Sequence, residues 1–343
     1  MIFSAEKWNR GAELKAVMKV NTAISFEMME APLRNAWLQF IVPLLGQRMV
    51  DEVIEIYRFG VNPETPVPGT GGPTEQEKLD WQLLQLCQRA NANLAFFADF
   101  DEISVRITDA GFQRQKSENE TFQQTYKYQE DNLRKSFRAK GFNALDSMLD
   151  FLYEHLEAYP EFKESETFRK HQSAIVRSTA DVDRVYSINR SRIVYLRLQP
   201  HIQFVEHQLL EPAIGKRLYD YLTDGLKSPP VDPTLQTNLE RLRSACMGYL
   251  VTMAVRRLMM ETGSLTDRGL YFTSITSNDR GNEEVRPQTN ERLAMQIANI
   301  KLDADTYMTS IQRVIQDYFN EFSVGNPQEV FHRDNDGKST FWV

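Results

Sequence analysis

The sequence predicts a mainly α-helical protein made of two tandem helical-bundle modules, with short β-hairpin elements, a helical middle segment and a long C-terminal helix. Three observations carry this reading. Apolar residues recur at three- and four-residue steps along most of the chain, runs of strict apolar–polar alternation are few, and a stretch in the first half aligns without gaps on one in the second.

The helices follow in order. Leu79, Leu83, Leu86, Ala90, Leu94 and Phe97 share one face of a helix of about six turns. Phe122, Tyr126, Leu133 and Phe137 mark a second helix, which Gly141 is expected to end because glycine tolerates positive φ just past a helix terminus. Asn143 then reads as the N-cap of a third helix, buried through Leu145, Leu149, Leu152, Tyr153 and Leu156 and closed by Pro160. The last helix opens at Pro287 and carries Leu293, Ile297, Ile300, Tyr307, Ile311, Val314, Tyr318 and Phe322 as far as Gly325. Its length of about 50 Å suggests that it crosses a domain or subunit boundary.

Two strand signals stand out. Ile103, Val105 and Ile107 alternate with polar residues and run into the turn Asp109-Ala110-Gly111. At the C-terminus, Val330 and Phe331, then Asp334 to Gly337, then Thr340 to Val343 form a hairpin pattern.

The repeat is the most informative feature. FIVPLLGQRMVDEVIEI at 40–56 aligns on LLEPAIGKRLYDYLTDG at 209–225 with an offset of 169, pairing Pro43 with Pro212, Gly46 with Gly215, Arg48 with Arg217 and Asp51 with Asp220. A proline opening a new helix explains its place directly after an apolar turn. Further on, Thr108, Asp109 and Gly111 match Thr266, Asp267 and Gly269 with an offset of 158. The deletion falls in the Gly/Pro-rich loop, where length variation is cheapest. The expected division is a first module at 1–116, a helical middle segment at 117–174, a second module at 175–285, a long C-terminal helix at 286–325 and a tail or hairpin at 326–343.

With 343 residues, 41% hydrophobic and 25% charged, the composition is that of an ordinary globular protein of two or so domains, which excludes collagen-like and largely disordered classes. No run approaches a membrane span, and the N-terminus lacks the pattern of a signal peptide. Cys87 and Cys246 form no CxxC pair and read as small core residues of a protein made in a reducing compartment. The net charge of −7 removes the attraction that supplies most nonspecific nucleic-acid affinity.

Catalytic signatures do not appear. GxxxxGK[ST], GxGxxG after a strand, HExxH and GxSxG are all missing, so no catalytic residue, cofactor-binding residue or metal ligand is assigned, and the protein is expected not to be an enzyme. His201 and His207, six apart on a helix, read as surface or packing residues, and Asp99, Asp101 and Glu102 as a solvated helix end. The candidate contact residues are Phe331, Phe341, Trp342 and Val343 in the tail, which either fold back on their own domain or dock on a neighbour. The loop from Phe59 to Thr74 reads as a passive linker or as a contact loop that orders on assembly.

On these residues the chain resembles the head-to-tail connector proteins of tailed bacteriophages, also called adaptor or head-completion proteins. The likeness is to a duplicated form found in phages of Bacteroidetes, including crAss-like phages. It is carried by the helices leading into FIVPLLGQRMVDEV and LLEPAIGKRLYDYL, by LDWQLLQLCQRANANLAFF and ISVRITDAGFQRQ, and by the middle stretch YQEDNLRKSFRAKGFNALDSMLDFLYEHLEAYPEFKES. The resemblance implies a structural virion protein of the neck, made in the bacterial host cytoplasm and assembled as a homo-oligomeric ring, commonly a dodecamer. Such a ring joins the portal protein to tail or further neck proteins and extends the DNA channel, with DNA passing through unbound, no cofactor and no membrane. By the same resemblance the tail from Asn326 to Val343 would reach the portal. The alternative expectation is a cytoplasmic helical scaffold outside the virion that binds phage or host proteins.

Overall fold

The computed structural model describes residues 1–19, 25–63, 72–104, 106–108, 111–113, 127–262, 271–273, 285–287 and 290–322. The protein is mainly helical and divides into two compact units. One comprises Met1–His171 with Arg190–Ile193, the other Gln172–Asn189 with the chain from Val194 onward.

In the first unit, α1 (Ala5–Trp8) and α2 (Ala12–Val17) precede α3 (Phe26–Ala36). A π-helical turn, Trp37–Ile41, then leads into α4 (Val42–Leu45) and α5 (Gln47–Phe59). The turn is wide because Pro43 has no N–H and its ring would crowd the carbonyl four residues back. The Val42 N–H accordingly donates to the Trp37 carbonyl, five residues away. Gly46 ends α4 at φ +76° and ψ 158°, a conformation essentially reserved for glycine. Thr74 opens α6 (Glu75–Ala98) with a reciprocal capping box, its Oγ1 accepting from the Glu77 N–H while Glu77 accepts from the Thr74 N–H. After α7 (Phe100–Ser104), β1 (Arg106–Thr108) pairs antiparallel with β2 (Gly111–Gln113), placing Ile107 opposite Phe112. The helix α8 (Lys127–Glu154) then runs along α6, and the 3₁₀ turn Pro160–Glu164 leads to α9 (Glu166–Ser173). Met29, Leu33, Leu45, Val53, Leu83, Leu94, Met148 and Phe162 are among the fully buried side chains of this core.

The second unit begins with α10 (Thr179–Val185), which Ser178 caps by accepting from the Asp181 N–H. There follow α11 (Arg192–Val205), a π-helical turn at Glu206–Leu210, α12 (Glu211–Ile214) and α13 (Lys216–Lys227). Here too the turn precedes a proline, Pro212, with the Glu211 N–H donating to the Glu206 carbonyl, and the following glycine, Gly215, has φ +83° and ψ 140°. The helix α14 (Pro233–Thr262) packs along α15 (Asn290–Tyr318), with β3 (Tyr271–Thr273) and β4 (Val285–Pro287) paired antiparallel between them in sequence and the 3₁₀ turn Asn320–Phe322 after α15. Its core is built on Leu198, Leu210, Leu222, Leu242, Cys246, Leu250, Ala304 and Ile311. Among the described residues, no helix is long and apolar enough to cross a membrane.

Several expectations are corrected. Gly141 does not end a helix, and Asn143 does not cap one, because α8 is continuous through both. The glycine is there for close approach: a Cβ on it would lie 2.6 Å from Leu94 Cγ on α6. Pro287 belongs to β4, and the last helix spans Asn290–Tyr318, about 44 Å. It packs on α14 within the second unit instead of leaving it, around Gly248, where a Cβ would meet the Tyr307 ring at 2.3 Å. Ile103 lies in α7, one turn before β1. The five-part division is likewise redrawn: the stretch expected as a separate middle segment supplies α8 to the first unit, and the long C-terminal helix is a member of the second. Each covers the apolar face of the long helix before it, which neither α6 nor α14 could bury alone. The tail at 326–343 lies outside the described residues.

Candidate functional site

The first unit contains a cavity of about 290 Å³ where α1 and α2 meet the end of α5 and the first half of α6. Ile56, Val61, Trp81 and Leu84 give it apolar walls, and Lys7, Glu13, Asp80, Gln85 and Gln88 bring polar groups to it. The Lys7 ammonium is already engaged: it donates to the Tyr57 carbonyl and lies 4.4 Å from the centroid of the Tyr57 ring. The Tyr57 hydroxyl donates to Ser4 Oγ at 3.1 Å. Asp80 accepts from the Tyr159 hydroxyl at 3.1 Å and from Gln76 Nε2 at 2.8 Å.

Glu13 is the unusual group. Gln88 Nε2 bridges the Ile2 carbonyl at 2.9 Å and Glu13 Oε1 at 3.2 Å, and Glu13 Oε2 is shut off from solvent. Burial holds the Glu13 carboxyl above the usual carboxylate range, opposed by hydrogen bonding with Tyr57 and the charge of Lys7.

In the second unit a buried ion pair joins α10 to α14. Asp181, its side chain 8% exposed, accepts from Arg243 Nη2 at 2.7 Å and from the Arg177 N–H at 2.9 Å. Arg243 Nε donates to the Ile175 carbonyl at 3.1 Å, and Arg177 Nη2 to the Leu226 carbonyl at 3.4 Å. A desolvated carboxylate is tolerated here because it is both paired and hydrogen-bonded.

The repeat-defining residues occupy the two corners. Pro43 and Pro212 sit in the first turns of α4 and α12, and Gly46 and Gly215 carry the positive φ that separates these helices from the next. Arg48 pairs with Glu164 at 2.5 Å, whereas the Arg217 guanidinium lies 5.1 Å from the Phe322 ring centroid. Asp51 accepts from Gln47 Nε2 at 2.7 Å, and Asp220 lies 3.7 Å from Lys216. The tail residues Phe331, Phe341, Trp342 and Val343 are outside the described residues. Sequence reasoning missed Glu13, Gln88, Arg177, Asp181 and Arg243. A self-comparison carried into the segments ahead of α3 and α11 could have pointed to Glu13, Arg177 and Asp181, since Ile2-Phe3 and Ile175-Val176 are both buried apolar pairs shortly before a serine N-cap, whereas Gln88 and Arg243 lie on the long helices α6 and α14.

Both cysteines are buried free thiols, with burial pushing Cys87 up to about 12, so neither supplies a thiolate at neutral pH. His155 stacks on Phe151 and His171 on Tyr153, while His201 and His207 face Glu261 and Glu211. Asp101 pairs with Arg134 at 3.2 Å. Among the described residues, no group of three or more His, Cys, Asp or Glu side chains is placed to hold a metal ion.

Residues 41–172 match the family model DUF6712, a family of unknown function. The match starts inside the first π-helical turn and ends within a residue of where the first unit's main segment ends. No curated protein and no solved structure matches the chain.

Proposed function

We propose that the chain is a duplicated assembly protein of the phage neck, a ring-forming adaptor between portal and tail that extends the DNA channel without catalysis. The observation that carries the duplication is the corner. In each half a π-helical turn, a proline-opened helical turn and a positive-φ glycine follow one another at the single offset of 169, and the long helices after them start at Glu75 and Pro233, 158 apart. A proline, a glycine and a five-residue turn at one spacing are separate backbone constraints, and their joint recurrence is hard to reach by chance.

Two tandem modules, each with short β-ladder elements after its first long helix, are then the architecture, with α8 and α15 as equivalent last helices. The neck assignment draws on the resemblance of these same segments to connector proteins and on the net charge of −7, which suits a channel wall that lets DNA slide. The test is purification of the tagged chain from its infected source, with mass spectrometry of partners and negative-stain imaging of the eluate. Portal and tail proteins with rotationally symmetric rings are expected. Absence of the protein from purified virions, with only host proteins recovered, would replace this reading by a scaffold outside the virion.

A further inference from the structure

The two units solve one local problem with different side chains. In each, a donor on the long helix bridges the carbonyl of an early buried isoleucine and a nearby carboxylate: Gln88 with Ile2 and Glu13, Arg243 with Ile175 and Asp181. In each, a cation from the preceding segment also caps the end of the helix after the corner, Lys7 on the Tyr57 carbonyl and Arg177 on the Leu226 carbonyl, the two capped residues being 169 apart.

The donors are not equal in capacity. A glutamine offers two N–H groups and an arginine five. With Arg243 the second unit places a guanidinium on Asp181, whereas the long helix of the first unit gives Glu13 only the neutral amide of Gln88. The position that matches Arg243 at the offset of 158 is Gln85, which lines the cavity. The first unit thus has a buried carboxyl group with no guanidinium on it, beside an open volume lined by Gln85.

We propose that the first-unit cavity is a receptor for an arginine side chain presented by a partner protein. This rests on the duplicated reading above, since the second unit supplies the template for the missing group. Ile56, Leu84 and Trp81 suit the aliphatic stem, and Glu13 takes the charge. A polypeptide source fits the rim: Phe59, 81% exposed, and Val61, 41% exposed, flank the cavity-lining Gly60 and offer apolar surface that a free small molecule would leave uncovered. Burial of Glu13 disfavours its charged form although Lys7 already acts on it, and an added guanidinium favours that form further, so binding should strengthen as pH rises.

The experiment is calorimetric titration of the full chain with N-acetyl-arginine amide, with the neutral isostere N-acetyl-citrulline amide and with agmatine. The arginine amide should bind saturably, with citrulline at least about tenfold weaker. Glu13→Gln should weaken the arginine amide by about tenfold, and Gln85→Arg should fill the cavity from within and remove binding. Circular dichroism and melting of both variants verify folding. Equal binding of citrulline, indifference to Glu13→Gln, or no binding at about 50 mM would overturn the proposal. Agmatine binding more tightly than the amide would assign the cavity to a free amine and overturn the partner assignment. The neck reading stands or falls on virions independently: rings with portal and no arginine binding would remove this pocket alone, and arginine binding without rings would remove the neck reading alone.

Discussion

Arg48 and Arg217 stand at the same place after the same glycine, yet one ends in an ion pair and the other on an aromatic ring. In the first unit the partner is Glu164, in the 3₁₀ turn that follows α8. In the second it is Phe322, in the 3₁₀ turn that follows α15. What is kept is a long cationic stem tying the corner to the turn after the last helix, and what is exchanged is the chemistry at its tip. Gln88 and Arg243 repeat the lesson in the interior, where a neutral amide in one unit does what a guanidinium does in the other. The glycines of helix contact shift as well, with Gly141 on α8 in the first unit and Gly248 on α14 in the second.

Separate cores should melt separately. Phe162 is fully buried against Tyr153 and Phe168, so Phe162→Ala should cost the first unit about 3–5 kcal/mol and leave the second unit's calorimetric transition in place. An equal shift of every transition would break the comparison at its root. Arg243→Gln gives the second unit the first unit's type of donor and strands Asp181, with an expected loss of about 3–5 kcal/mol in denaturant unfolding. A loss under about 1 kcal/mol would mean that water reaches the pair.

The corner glycines sharpen the contrast further. Gly46→Ala and Gly215→Ala should each cost about 1–3 kcal/mol through the backbone conformation. At Gly46 the added Cβ would in addition sit 3.3 Å from Ser165 Cβ. Arg48→Ala should cost at most about 1 kcal/mol and less in high salt, since its side chain is 70% exposed and that of Glu164 51%. Arg217→Ala should cost a similar amount, about 0.5–1 kcal/mol, with little dependence on salt.

The smallest effect is a slope. Glu206, at the position of Trp37 in the other corner, is held above its ordinary range by burial, partly offset by the Tyr219 hydroxyl bond at 3.0 Å. A raised folded-state pKa means that the stability it confers is present below the ordinary value of 4.5 and is lost as pH rises through the folded value. Glu206→Gln should therefore melt higher than the natural chain near neutral pH, with the gap closing as acid is added. A gap that widens in acid would reverse the assignment.

Much of the fold was legible in the apolar spacing of α6, α8 and α15 and in the paired Pro, Gly and Arg positions of the repeat. Gly141 misled because a glycine between two apolar stripes satisfies the same local rule whether it ends a helix or admits Leu94. Pro287 misled because it suits both a first helical turn and a short edge strand. The cavity was not legible at all. Glu13 and Gln85 look like solvated helix residues in any window, and only the tertiary meeting of α2 with α6 gives them a shared volume.

Each corner is written into the covalent chemistry of ten neighbouring residues. The wide turn, the proline after it and the glycine that closes it lie at Trp37–Gly46 and again at Glu206–Gly215, whereas the helices that pack against them arrive much later in sequence. For a chain emerging from the ribosome, the angle between entering and leaving helices is therefore decided while α6 or α14 is still unsynthesised. Each long helix meets a bend that is already set, which lowers the entropy its docking has to overcome.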